Sequence, residues 1–226
     1  MSAEQKTLKH DTAAAAEREA SLPEHFLNRE LSLLEFNKRV LAQAADTRLP
    51  LLERLRFLCI SCTNLDEFFE IRVSGLKQRE EIGTSPPGPD QRTAQQVMEL
   101  VSAEAHQLVA AQYEELNQRM LPALAQAGIR FLRRNDWTAA QREWLHAHFV
   151  NQILPVLTPL TLDPARPFPQ ILNKSLNFIV ALRGRDVYGR RRHRGLVQAP
   201  RSLPRLIEVP ADLDGSGDAD YVFLSS

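Results

Sequence analysis

Only two cysteines, Cys59 and Cys62, occur in 226 residues. With no second pair and no nearby histidine they cannot close a zinc site, and within an apolar run they read as core thiols. No apolar stretch reaches the length of a membrane span. The first 24 residues carry no apolar core of a secretory signal, which leaves the cytoplasm as the expected location. Neither sign of charge is in excess, since Lys plus Arg and Asp plus Glu each number 28. Net charge therefore argues for neither a nucleic-acid binder nor an acidic tail. There is no phosphate-cradling GxxxxGK followed by Ser or Thr, no HExxH and no GxSxG, so no self-sufficient catalytic motif is in sight.

What is present is a soluble composition, 43% hydrophobic, enough for one sizeable core or two modest ones. Residues 1–24 offer few large apolar groups and read as a disordered tail. Residues 25–127 then carry helical periodicity. Ser32 with Glu35 has capping-box spacing ahead of a face formed by Leu33, Phe36, Val40, Leu41 and Ala44. Pro50 suits the first turn of a second helix with Leu51, Leu55, Leu58 and Cys62 on one stripe. Asn64 with Glu67 repeats the cap spacing and predicts a third helix through Leu65, Phe68, Phe69, Val73 and Leu76, ending before Gly83. GTSPPGPD is a loop. A long fourth helix is expected from about Thr93 to Ala127, broken near Pro122 and stopped at Gly128.

From residue 128 the texture changes. A short IRFL piece and a helix capped by Thr138 and Gln141 precede proline-rich connections from Pro155 to Pro169. LNFIVALR, GLVQAP, RLIEVP and DYVFLSS have strand composition. The fold class expected is therefore multidomain, an all-α helical bundle over 25–127 followed by an incomplete α+β region over 128–226.

Several residues could meet a ligand. As a helix N-cap, Asn64 would combine exposed N–H groups with a positive dipole end, although plain capping explains it equally; Asp66 and Glu67 would then answer the same dipole. Arg54, Arg56 or Arg72 could pair with Asp66 or Glu67 across the bundle, or meet phosphate. Phe57 lies off its helix's stripe, free to stack on a base or pack on a neighbour. Between 183 and 205 stand eight arginines against one acid, Asp186. Arg190, Arg191, Arg192 and Arg194 form its densest part, either a polyanion contact or a solvated turn balanced by the acidic stretch from Glu208 to Asp220. His146 and His148, two apart on a helix, face different directions and make a poor metal pair.

FLNRELSLLEFNKRVL from Phe26 to Leu41, TNLDEFFEIRVSGLK from Thr63 to Lys77 and PVLTPLTLDPARPFPQILNKSLNF from Pro155 to Phe178 together resemble the N-terminal part of bacterial polyphosphate kinases of the long, ATP-using family. The resemblance covers about residues 26 to 226. It implies a helical N domain, a protruding head domain, and two further domains that are absent here. It also implies reversible transfer of the ATP terminal phosphate to polyphosphate through a phosphorylated histidine. That histidine and the magnesium ligands belong to the absent half, so no catalytic residue or metal ligand is assigned in this chain, and the chain alone is expected to be inactive.

Asn64, in NLDEF, falls on the family's nucleotide-contacting asparagine, and Phe57 falls near the adenine. ATP and inorganic polyphosphate are the implied partners, with homo-oligomerisation through the head domain, no nucleic acid, and membrane association conceivable for the longer enzyme. The sequence departs modestly from the family at Leu33, where Trp is usual, Thr161, where Ala is usual, and Arg166, where His is common; the change at Leu33 bears only on local packing. A non-catalytic helical interaction or dimerisation module is the alternative reading, and a polyanion-binding module a third.

Overall fold

The computed structural model describes residues 22–83, 88–162, 167–184, 189, 194–213 and 215–226. The chain forms two compact units, divided between Ala123 and Leu124. A helical bundle is followed by a mixed helix and strand region, the class expected.

In the first unit, α1 spans Arg29–Ala45 and α2 spans Leu51–Glu67. A π-helical turn at Phe68–Val73 carries α2 without a break into α3, Ser74–Ile82. Gly83 ends it at φ +70°, a left-handed conformation that suits glycine. Helix α4, Ala94–Glu114, opens on a capping box of Thr93 and Gln96. A second π turn, Glu115–Met120, carries it on into the short α5, Leu121–Gln126, so the helix runs through Pro122 instead of breaking near it, the proline following directly on the π turn. The core is built from Leu34, Leu41 and Ala44 of α1, Leu58 and Leu65 of α2, Phe68, Val73 and Leu76 beyond them, and Val97, Val101, Ala105 and Leu108 of α4.

Several expectations are corrected. The cap of α1 is Asn28, whose side chain accepts from the amides of Glu30 and Leu31, and Ser32 lies inside the helix. Leu41 and Ala44 of α1 are buried as expected, but Leu34 and Asn37 complete the buried face, while Leu33 and Phe36 are exposed and Val40 is half-buried. On α2 the buried row is Leu58, Ser61 and Leu65, while Leu51 and Leu55 are half-buried. The shift has one physical cause. Asn37 and Ser61 occupy core-facing positions and hydrogen-bond each other, so the apolar pattern alone points to the wrong neighbours.

Cys59 and Cys62 are both free and exposed, not core thiols. The Cys62 thiol is nonetheless held above its ordinary range, first by desolvation and then by Cys59 and Asp66. Phe69 and Leu100 are exposed as well.

In the second unit, β1 (Ile129–Phe131) pairs in parallel with β6 (Ala219–Phe223), and β6 pairs antiparallel with β5 (Leu206–Val209). A second sheet sets β4 (Arg194–Gln198) between β2 (Thr158–Thr161) and β3 (Asn177–Ala181), all antiparallel. Between β1 and β2 lies α6, Ala139–His148, opened by the expected Thr138–Gln141 capping box. All four segments of strand composition form strands. Strand β2 was not foreseen, because its Pro159 argues against a strand; it sits at a sheet edge, where a missing amide donor is tolerated.

Leu145, Ile153, Ile207, Val209 and Val222 form this unit's core. Beside them Asp220, 1% exposed, accepts from Arg130 Nε at 2.7 Å, from Arg130 Nη2 at 2.9 Å and from Gln141 Nε2 at 2.9 Å.

Candidate functional site

In the first unit a cleft of about 260 Å³ opens along the seam of α1 and α2. Leu33, Leu34, Phe36 and Asn37 form one wall; Asn64, Glu67, Phe68, Ile71 and Arg72 form the other. The second set has the i, i+3, i+4, i+7, i+8 spacing of a single helix face. Phe36 and Ile71 are 50% and 58% exposed, so the mouth is apolar. Arg39 lies over the Phe36 ring, 5.7 Å from its centroid.

Asn64 does not cap a helix. Residues 51 to 82 run on without a glycine at a break or a proline after Pro50, so the backbone stays helical through it and its carbonyl accepts from the Phe68 amide. The dipole argument for Asn64, Asp66 and Glu67 falls with the cap. In its place stands a side-chain contact: Asn64 Nδ2 donates to Asn37 Oδ1 over 3.5 Å. Asn37 Nδ2 donates in turn to the Ser61 carbonyl at 2.9 Å, and Gln112 Nε2 of α4 donates to Ser61 Oγ at 2.9 Å. These amides bind the seam together and bring one of them to the cleft wall.

The predicted ion pairs with Asp66 or Glu67 do not form. Arg54 donates to the Ala44 carbonyl at 2.8 Å and reaches the buried Glu115 at 3.5 Å, while Arg56 lies 3.7 Å from Glu53. Arg72 is half-buried in the cleft wall and has no ion-pair partner among the described residues. The cleft thus offers one guanidinium, one carboxylate, two carboxamides and an apolar floor. A planar ring with polar edges and an anionic tail would find complementary groups there.

Phe57 is half-buried and packs on the core cluster, outside the cleft lining. Seven residues before Asn64, it lies roughly 10 Å away along the helix axis. Arg190, Arg191 and Arg192 lie outside the described residues; Arg194 begins β4 and is exposed. Asp218 and Asp220 of the acidic stretch pair with Arg130. His148 stacks on Trp144 with ring centroids 5.0 Å apart, and His146 is exposed. Among the described residues no group of three His, Cys, Asp or Glu side chains could hold a metal ion. None of the described helices is long and apolar enough to cross a membrane.

Sequence reasoning missed Asn37, Leu33 and Phe36 as cleft residues. The available signal was a polar Asn37 in an otherwise apolar helical row, since a buried amide requires partners.

Comparison with known proteins accounts for nearly all of the chain outside the tail. Residues 26–132 match the polyphosphate kinase N-terminal domain, and residues 140–226 match the polyphosphate kinase middle domain. Polyphosphate kinase of Xylella fastidiosa (strain 9a5c) is 54% identical over 204 residues, 90% of this chain and 29% of that protein. Polyphosphate kinase of Burkholderia multivorans is 52% identical over 200 residues, 88% of this chain and 29% of that one. The crystal structure of polyphosphate kinase from Porphyromonas gingivalis matches with a TM-score of 0.72 at 26% identity, covering 88% of this chain and 29% of that chain. The chain spans about 29% of the length of the curated relatives it matches. With both domains matched in order, the chain belongs to the polyphosphate kinase family and carries its N-terminal and middle domains.

Proposed function

We propose that this chain serves a polyphosphate kinase as one wall of its ATP site and as a source of dimer contacts. The observation that carries the reading is the cleft between α1 and α2, where the Asn64 carboxamide and the Arg72 guanidinium flank an apolar floor. In the parent reaction the terminal phosphoryl group of ATP passes to a histidine nitrogen, releasing ADP, and then to the terminal oxygen of a polyphosphate chain. The histidine that takes it is assigned to residues beyond these 226, as are the ligands of the magnesium that accompanies ATP. No group of three His, Cys, Asp or Glu side chains among the described residues suits that ion.

In this scheme residues 1–24 are a tail, 25–127 the N domain and 128–226 the head domain. The work of the N domain is binding: Leu33, Phe36 and Ile71 shed water around the nucleoside, Asn64 fixes it by hydrogen bonding, and Arg72 meets negative charge. The head domain supplies the contact between copies, and Arg190, Arg191, Arg192 and Arg194 meet phosphate oxygens of the product. Phe57 supports the adenine side through the core rather than by direct stacking. The cytoplasm is the proposed location.

In a polyphosphate kinase containing these 226 residues, Asn64→Ala should raise the KM for ATP about tenfold, the effect of losing one hydrogen bond. An unchanged KM would remove the cleft from the ATP site.

A further inference from the structure

We propose that Asn37 is a positioning residue which sets the carboxamide of Asn64 so that its carbonyl oxygen is presented to the nucleoside part of the ligand. This rests on the reading of Asn64 as a nucleotide contact and adds a residue and a chemical preference to it.

Asn37 is 3% exposed and occupies a place on α1 where leucine would continue the row of Leu34, Leu41 and Ala44. A paired buried amide adds little stability over an apolar residue of the same shape. What it adds is direction. The Ser61 carbonyl can only accept, so the atom of Asn37 that faces it at 2.9 Å is the NH2 nitrogen. The oxygen of Asn37 is thereby turned toward Asn64, and only the NH2 of Asn64 can answer it, which it does at 3.5 Å. At 3.5 Å that contact is longer than an ordinary N–H···O bond, leaving room to tighten when a ligand fills the cleft.

The rest of the chain of amides is braced. Ser61 is fully buried, and Gln112 holds its hydroxyl from α4. Asn64 Oδ1 accepts no hydrogen bond among the described residues and is not buried. An oxygen so placed takes a donor, such as an amine or hydroxyl of a nucleoside. A bare phosphate chain at neutral pH has almost none to give.

The test uses the 226-residue chain, with ATP and inorganic tripolyphosphate as probes and affinities read by NMR titration. Asn37→Leu keeps the volume filled and Asn37→Ala is the second variant; thermal melting checks that each folds. Asn37→Leu and Asn64→Ala should each weaken ATP binding by about tenfold, and the double variant should bind no more weakly than Asn64→Ala, because both act through one group. Tripolyphosphate affinity should not move, and the Asn64 side-chain NH2 signal should shift in Asn37→Leu without any ligand. The proposal is overturned if the Asn37 variants bind ATP like the parent, or if the two losses multiply in the double variant. Should Asn64→Ala itself leave ATP binding unchanged, the nucleotide reading of the cleft fails; the NH2 signal then reports separately whether Asn37 positions Asn64.

Discussion

Asp220 is where one substitution should cost the second unit most. Its carboxylate is 1% exposed and accepts three hydrogen bonds, two from Arg130 and one from Gln141. In Asp220→Ala, Gln141 Nε2 loses its only partner among the described residues while the residue itself is 1% exposed, which leaves a buried donor unsatisfied. Arg130 fares better, being 29% exposed at its side chain and 3.3 Å from Asp218, so its charge is not stranded. Breaking a buried charge pair costs roughly 3–5 kcal/mol, and the surviving Asp218 contact places this case near the low end, about 3 kcal/mol. At about 4 °C per kcal/mol for a unit of this size, Tm should fall by roughly 12 °C. The chain's two tryptophans, Trp137 and Trp144, both lie in this unit, so their fluorescence follows its unfolding without the helical bundle. A shift below about 3 °C would mean that Asp218 replaces Asp220 and that the network is not the anchor of this unit.

Two further outcomes follow from local electrostatics. The Arg48 guanidinium beside Asp46 lowers its carboxyl from 3.8 to about 2, so the pair's contribution is present above the ordinary pKa and is lost as pH falls through about 2. Carbon NMR should place the Asp46 midpoint near 2, and Arg48→Ala should return it toward the ordinary range; a midpoint unmoved by that substitution would remove Arg48 as the cause. Desolvation keeps the Cys62 thiol protonated at neutral pH, so in Cys59→Ser iodoacetamide should modify Cys62 more slowly than free cysteine and speed up as pH is raised. Modification at the rate of free cysteine would contradict that.

The helical frame was legible because its punctuation is strong: Pro50, Gly83, the Thr93 cap and Gly128 bound the helices that form. The faces were harder to read. Leu33 and Leu34 are equally apolar, and the inward row that Leu34 shares with Leu41 and Ala44 passes through Asn37, a polar residue satisfied by Ser61 on another helix, which an apolar count leaves out. Asn64 was singled out on cap spacing, but it is a mid-helix side chain whose partner stands 27 residues away. Cap-like spacing inside a continuous helix carries no information when the preceding turn is already helical. The parallel pairing of β1 with β6 joins strands some 90 residues apart, beyond the reach of local pattern.

The central claim is that the α1–α2 cleft receives ATP, and it is tested most directly by following backbone and side-chain NMR signals of this chain during ATP titration. The account predicts shifts concentrated at Leu33, Phe36, Asn37, Asn64, Ile71 and Arg72, saturating at millimolar ATP, as befits one wall of a larger site. Shifts confined to other surfaces, or none at these residues at saturating ATP, would contradict it.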